Sequence, residues 1–151
     1  MITIVTETFM RAPREVCFDL ALDVQEHARS LSYTDEHIVD GVRTGCLQKG
    51  ERMTMEGRHF GIVWRLQIEL TECERPVRFV DEMVRGPFKS VTHEHIFIAQ
   101  GDGTLVRDTF SFAAPFGPIG WLAERLFLRR HMQKLLDRRN AYLKRRAESQ
   151  E

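Results

Sequence analysis

The residues of this chain best suited to chemistry are His93 and His95, with Asp81 and Asp108 nearby in the sequence. His93 and His95 lie two apart in the run Val91-Thr92-His93-Glu94-His95-Ile96-Phe97, where strand periodicity points both rings to one face. Imidazole titrates near neutrality, and a neighbouring carboxylate orients it, so the set suits proton transfer in a dehydration or enolisation. The same groups suit a metal ion, or a buried network that shapes a cavity and hydrogen-bonds a ligand. The set lacks a third well-spaced His or Cys, so no metal and no cofactor are expected. His93, His95 and Asp81 are the catalytic candidates, with no firm assignment among them. Arg85, before Gly86-Pro87 at a hairpin mouth, could grip a carboxylate or phosphate on a ligand or form a surface ion pair.

These side chains need strands to hold them. Gly101-Asp102-Gly103-Thr104 predicts a two-residue hairpin, with Asp102-Gly103 as a type I′ turn. If Gly101 pairs with Thr104, then His93 faces Phe112, His95 faces Phe110 and Phe97 faces Asp108. The inward face then carries Val91, His93, His95, Phe97, Val106, Asp108, Phe110 and Phe112. On the preceding strand Phe79, Asp81, Met83 and Arg85 share that face. Trp64, Leu66, Ile68 and Leu70 alternate with polar residues as a half-buried strand.

The chain begins with a β-branched run, Ile2 to Met10, read as the first strand. Two short helices are expected at residues 13–21, with Pro13 at the first helical position, and at residues 24–30. From about Asp35 the period is two, interrupted by a Gly-spaced loop at residues 41–50. A hairpin or bulge is expected around Arg58-His59-Phe60, and a turn at Glu74-Arg75-Pro76. The last element, residues 117–146, carries Leu122, Leu126, Met132, Leu135, Leu136, Tyr142 and Leu143 near a period of 3.6. Its remaining positions are largely basic. The expected lining between sheet and helix is Trp64, Leu66, Phe79, Met83, Phe97, Phe110, Phe112, Leu122 and Leu126, with Asp81, Arg85, His93 and His95 as its polar groups. An apolar hollow with a few polar groups is the usual form of a ligand site.

The 151 residues suggest a single domain spanning residues 1–151. Formal net charge is zero, which argues against whole-surface steering to nucleic acid. The basic residues are nonetheless concentrated in the last helix, read mainly as a solvated face, with contact to an acidic lipid or protein surface as the alternative. Three cysteines at irregular spacing, Cys17, Cys46 and Cys73, suggest free thiols and a cytoplasmic setting. No apolar run approaches the roughly 20 residues that cross a bilayer. GxSxG, P-loop and GxGxxG signatures are missing from the sequence. Oligomeric state, monomer or homodimer, is left open.

The order strand, two short helices, antiparallel strands, long helix resembles the START / Bet v 1-like (SRPBCC) superfamily, and bacterial cyclase/dehydrase-like ligand-binding members in particular. The resemblance is carried by Pro13-Arg14-Glu15-Val16-Cys17-Phe18-Asp19, Phe79-Val80-Asp81-Glu82, Arg85-Gly86-Pro87-Phe88, His93-Glu94-His95-Ile96-Phe97 and Pro115-Phe116-Gly117-Pro118-Ile119-Gly120. It implies an α+β helix-grip fold, a curved antiparallel sheet wrapped around the C-terminal helix. It further implies an internal cavity for a small hydrophobic partner such as a lipid, quinone, aromatic or polyketide-like molecule. Binding, transport or sequestration of that molecule is the leading expectation. A cyclase, dehydratase or isomerase working through His93 or His95 is the alternative.

Overall fold

A computed structural model of the protein describes residues 1–149. Strand β1 (Ile2–Met10) is followed by helices α1 (Arg14–Leu22) and α2 (Val24–Ser30). Six further strands follow: β2 (His37–Gly41), β3 (Arg52–His59), β4 (Ile62–Glu74), β5 (Arg78–Arg85), β6 (Ser90–Gln100) and β7 (Gly103–Ala113). All seven form one antiparallel sheet in the order β1-β7-β6-β5-β4-β3-β2. The C-terminal helical stretch comprises α3 (Gly117–Ala123), one π-helical turn (Glu124–Leu128) and α4 (Arg129–Glu148). Helix α4 packs on β1, α1 and α2. This is the expected helix-grip arrangement.

Local chemistry accounts for the short helices. Pro13 takes an extended conformation as the N-cap of α1, one residue before the helical position expected for it. Asp23 ends α1 and caps α2, its carboxylate accepting from the backbone N–H of Gln25 (2.9 Å) and Glu26 (3.1 Å). The interior has two apolar clusters. One joins α1 and α2 to the sheet through Phe18, Leu22, Val24, Leu70, Phe79 and Phe97. The other gathers Ile2, Ile4, Val91, Phe110, Phe112 and Leu136 near the start of β1.

The β6–β7 register corrects the expectation. Gln100 pairs with Gly103, so the two turn residues are Gly101 and Asp102. Only Gly101 of that pair takes positive φ, at 57°, which is not the type I′ requirement. Gly103 serves a different purpose: a Cβ there would overlap the Met10 carbonyl oxygen of β1. His93 consequently faces Phe110, His95 faces Asp108, and Phe97 faces Val106. The shift is two residues, so every side chain keeps its predicted face.

The C-terminal helix is also less uniform than its sequence period suggests. The π turn inserts extra residues between α3 and α4 and rotates the two apolar stripes out of phase. Leu135, Leu136 and Leu143 are buried, whereas Leu122 and Leu126 are 50% and 69% exposed. Glu124 takes the inward position instead, accepting a hydrogen bond from the Ala114 backbone N–H at 2.8 Å. Its carboxylate also lies 3.3 Å from the N-terminal ammonium.

Candidate functional site

Two rows of facing residues cross the inner face of the sheet. One runs Cys73, Phe79, His95, Asp108, Thr6 over β4, β5, β6, β7 and β1. The next runs Leu70, Asp81, His93, Phe110, Ile4. Strand pairing thus brings Asp81, His93, His95 and Asp108 together from three consecutive strands. The His93 and His95 rings stack at 3.7 Å between centroids, and Phe79 stacks on the other face of His95 at 4.1 Å.

His95 is held between two carboxylates. Its Nε2 lies 2.9 Å from Asp81 Oδ2, in hydrogen-bonding geometry, and its Nδ1 lies 2.7 Å from Asp108 Oδ1. The same Asp108 oxygen is 3.3 Å from His93 Nε2 and 3.9 Å from Arg139 Nη1. These last three contacts are ion-pair approaches without directed hydrogen-bond alignment. Arg139, from α4, donates from Nη2 to the Ala21 carbonyl at 3.1 Å. The neighbouring Asn140 donates from Nδ2 to Thr6 Oγ1 at 3.0 Å. Asp108 is fully buried, and Arg139 is only 4% exposed.

The environment separates the two imidazoles. Burial pushes His93 down, and the charge on His95 pushes it further. Burial also opposes charge on His95, but Asp108 and Asp81 outweigh it and hold its pKa above the usual histidine value. Burial would raise Asp108, yet its contacts with His93 and His95 hold the carboxyl well below its usual range. Asp81 is likewise lowered against burial by its bond to His95. The directions are consistent with two carboxylates facing two cations, His95 and Arg139, around a neutral His93.

A cavity of about 40 Å³ opens beside this cluster. Its apolar wall includes Leu22, Val24, Leu47, Met53, Ile68 and Leu70; its polar corner is Asp81, His93, His95, Arg139 and His27. His27, from α2, is lowered to about 4, first by burial and then by the Arg139 charge, so it is neutral at physiological pH. Asp81, His93 and His95 each present a ligand atom within 4.8 Å of the others, spacing compatible with a metal ion.

Of the residues expected to line the hollow, Phe79, Asp81, His93 and His95 lie on this cavity. Phe97 stacks with Phe79 at 5.9 Å in the first core cluster, while Phe110 and Phe112 belong to the second, with Met83 packed against it. Leu66 is partly buried on β4. Trp64 lies at the exposed end of that strand, its indole N–H donating to the His59 carbonyl at 3.0 Å. Leu122 and Leu126, expected to face the sheet, point to solvent because of the π turn. Arg85 does not share the face of Asp81. A bulge pairs Ile68 with Met83 but Gln67 with Arg85, so Val84 is the extra residue and Arg85 turns outward. There it borders a shallow hollow on the outer face with Val39, Asp40, Thr54, Arg65 and Gln67.

Arg139, Asn140 and His27 escaped the sequence reading. For Arg139 and Asn140 a signal existed: they occupy the positions of the buried stripe between Leu136 and Leu143. An arginine within an apolar stripe implies a buried anion, which Asp108 supplies. His27 follows Val24 by three residues on a very short helix, a pattern too brief to mark a face.

A seven-stranded sheet gripping a C-terminal helix, with an internal cavity between the sheet and the short helices, is a Bet v 1-like SRPBCC architecture. The chain belongs to the family described as polyketide cyclase / dehydrase and lipid transport, which matches residues 1–148. Among solved structures it resembles TTHA0849 from Thermus thermophilus, with a TM-score of 0.76 at 20% identity over 97% of both chains. It resembles the di-domain ARO/CYC BexL from the BE-7585A biosynthetic pathway equally well, at 0.76 and 17% identity, over 99% of this chain and 51% of BexL. Ginseng major latex-like protein 151 from Panax ginseng follows at 0.65 and 12% identity, over 97% of both chains. No curated protein matches the chain. At these identities the likeness establishes the fold.

Proposed function

We propose that this chain binds a small, mainly apolar molecule bearing an oxygen substituent, in the cavity between the sheet and α2. The observation that carries the reading is the make-up of the cavity: His27, Asp81, His93, His95 and Arg139 cluster in its lining, and the remaining lining residues are apolar apart from Asp23. Such a site gains affinity from apolar burial, at roughly 25 cal/mol per Å², and orientation from the polar corner. At about 40 Å³ the cavity is smaller than a lipid or aromatic ligand. Ligand uptake therefore displaces wall side chains, and the unbranched Met53 is suited to that adjustment. The family's breadth, from cyclases to lipid transport, fits a binding site of this kind.

A second reading, acid/base catalysis on a carbonyl substrate, is favoured by the opposite pKa shifts of the stacked His93 and His95. Neutral His93 would take a proton from the carbon beside a ketone. Protonated His95, with both ring nitrogens facing Asp81 and Asp108, would stabilise the developing enolate through its positive charge and not by a direct hydrogen bond. In a dehydration, His93 would return its proton to the departing β-hydroxyl, which leaves as water while the carbon–carbon double bond forms.

Native mass spectrometry of freshly purified protein, followed by extraction of any bound molecule, tests the binding reading. Titration with a fatty acid, a naphthoquinone and an aromatic diketone then compares wild type with His93→Gln and His93→Ala/His95→Ala. Loss of about tenfold or more in affinity is expected for an oxygen-bearing ligand. Equal affinity in folded variants would refute the orienting role. Deuterium exchange beside the diketone carbonyls, followed by NMR, separates the readings: catalysis requires exchange faster than without protein, an excess that disappears in His93→Gln, whereas binding alone gives no acceleration.

A further inference from the structure

The C-terminal helical stretch begins with a surface that neither the sheet nor the cavity uses. Across α3 and the π turn only Gly120 and Glu124 are buried. Phe116 is 80% exposed and Trp121 54%, and Ile119, Leu122, Leu126 and Phe127 are also open to solvent. The β3–β4 hairpin continues this surface. Phe60 at its tip lies 5.5 Å from Phe127 and 4.5 Å from His131, ring to ring. Ile62, Val63 and Trp64 beside it are exposed too. Scattered apolar residues on a surface need no explanation, but a contiguous patch marks an interaction site.

The charges around the patch select its partner. Arg125, Arg129, Arg130 and Lys134 are exposed along the same helical stretch. The Arg125 guanidinium stacks 4.0 Å over the Trp121 ring and contacts Glu124, the one acid between Gly117 and Lys134, which is buried. The ion pairs of the helix otherwise engage Arg139, Lys144 and Arg146; among the described residues none engages Arg129, Arg130 or Lys134. Exposed Trp, Phe and Leu set among basic residues, of which Arg129, Arg130 and Lys134 have no ion-pair partner among the described residues, match the interface of an anionic bilayer. Aromatic side chains favour the headgroup level, while the guanidinium groups meet the lipid phosphates. A second copy is a poor occupant, because a two-fold contact would set this basic patch against its own like charges.

We propose that α3, the π turn and the β3–β4 hairpin tip form a docking surface for an anionic lipid bilayer. Insertion is peripheral, since no helix among the described residues is long and apolar enough to span a membrane.

The chain has two tryptophans, Trp64 and Trp121, and both lie on this surface, so intrinsic emission reports docking. The experiment adds vesicles of phosphatidylcholine alone, or with one quarter phosphatidylglycerol, and measures emission and co-sedimentation. A blue shift and co-sedimentation are expected with anionic vesicles only, weakening in high salt. Arg129→Glu/Arg130→Glu should partition at least about 100-fold less, from roughly 1 kcal/mol per charge near an anionic surface. Trp121→Ser/Leu126→Ser should lose co-sedimentation while leaving the circular dichroism spectrum and urea midpoint unchanged, since both side chains are exposed. The proposal is overturned by no partition of the wild type, by equal partition into neutral vesicles, or by wild-type behaviour in either variant. It is also overturned if analytical ultracentrifugation shows a stable wild-type dimer that the Trp121→Ser/Leu126→Ser variant converts to monomer.

Discussion

Replacing Asp108 by Asn tests the centre of the site most directly. Its carboxylate is fully buried, with His95 Nδ1 at 2.7 Å, His93 Nε2 at 3.3 Å and Arg139 Nη1 at 3.9 Å. Asparagine keeps the shape but removes the negative charge. Arg139, 4% exposed, then remains charged in the interior without its counter-ion, and removing one partner of a buried ion pair costs about 3–5 kcal/mol. For a chain of this size that corresponds to a melting temperature lower by roughly 6–20 °C. Arg139→Met should also destabilise, by leaving Asp108 short of a cation. The double variant Asp108→Asn/Arg139→Met removes both charges, so it should lose at least about 1 kcal/mol less than the two single losses combined. The assay is urea unfolding at neutral pH on all four proteins, with the denaturant slope checked for constancy. A loss below about 1 kcal/mol in Asp108→Asn, or single-variant effects that add within about 0.5 kcal/mol, would refute the counter-ion argument.

Three further outcomes follow from the same geometry. His27 titrates at about 4 in the folded chain against 6.5 when unfolded, so the unfolded state binds more protons between those values. Its stabilising effect is therefore full above pH 6.5 and declines toward pH 4, and His27→Gln should flatten the urea-midpoint profile across that window. Gly103→Ala drives a methyl group into the Met10 carbonyl oxygen and should cost about 2 kcal/mol in thermal or urea unfolding, whereas a free turn glycine would tolerate it. Arg85→Ala, on the outer face, should leave affinity for a cavity ligand within about twofold in the titrations that resolve His93→Gln, and stability within about 0.5 kcal/mol.

The sequence alone determined what depends on short-range order. Period-two alternation marked the inward faces of β4, β6 and β7. The apolar run from Leu135 to Leu143 marked the buried side of α4, and the His93/His95 spacing put both rings on one face. The turn misassignment left those faces unchanged, because alternation is blind to a shift of two. Tertiary structure decided everything that depends on which strand lies opposite which, and at what phase. A bulge at Val84 turned Arg85 away from the cavity although its parity with Asp81 argued otherwise. A π turn rotated Leu122 and Leu126 into solvent although their spacing continued the stripe. Arg139 looked like one more charge on a basic helix until Asp108 arrived opposite it from β7. Periodicity reports the face of a residue only while the backbone stays regular. Inserted residues and long-range pairings carry no local signature, and they settled which polar groups share the cavity.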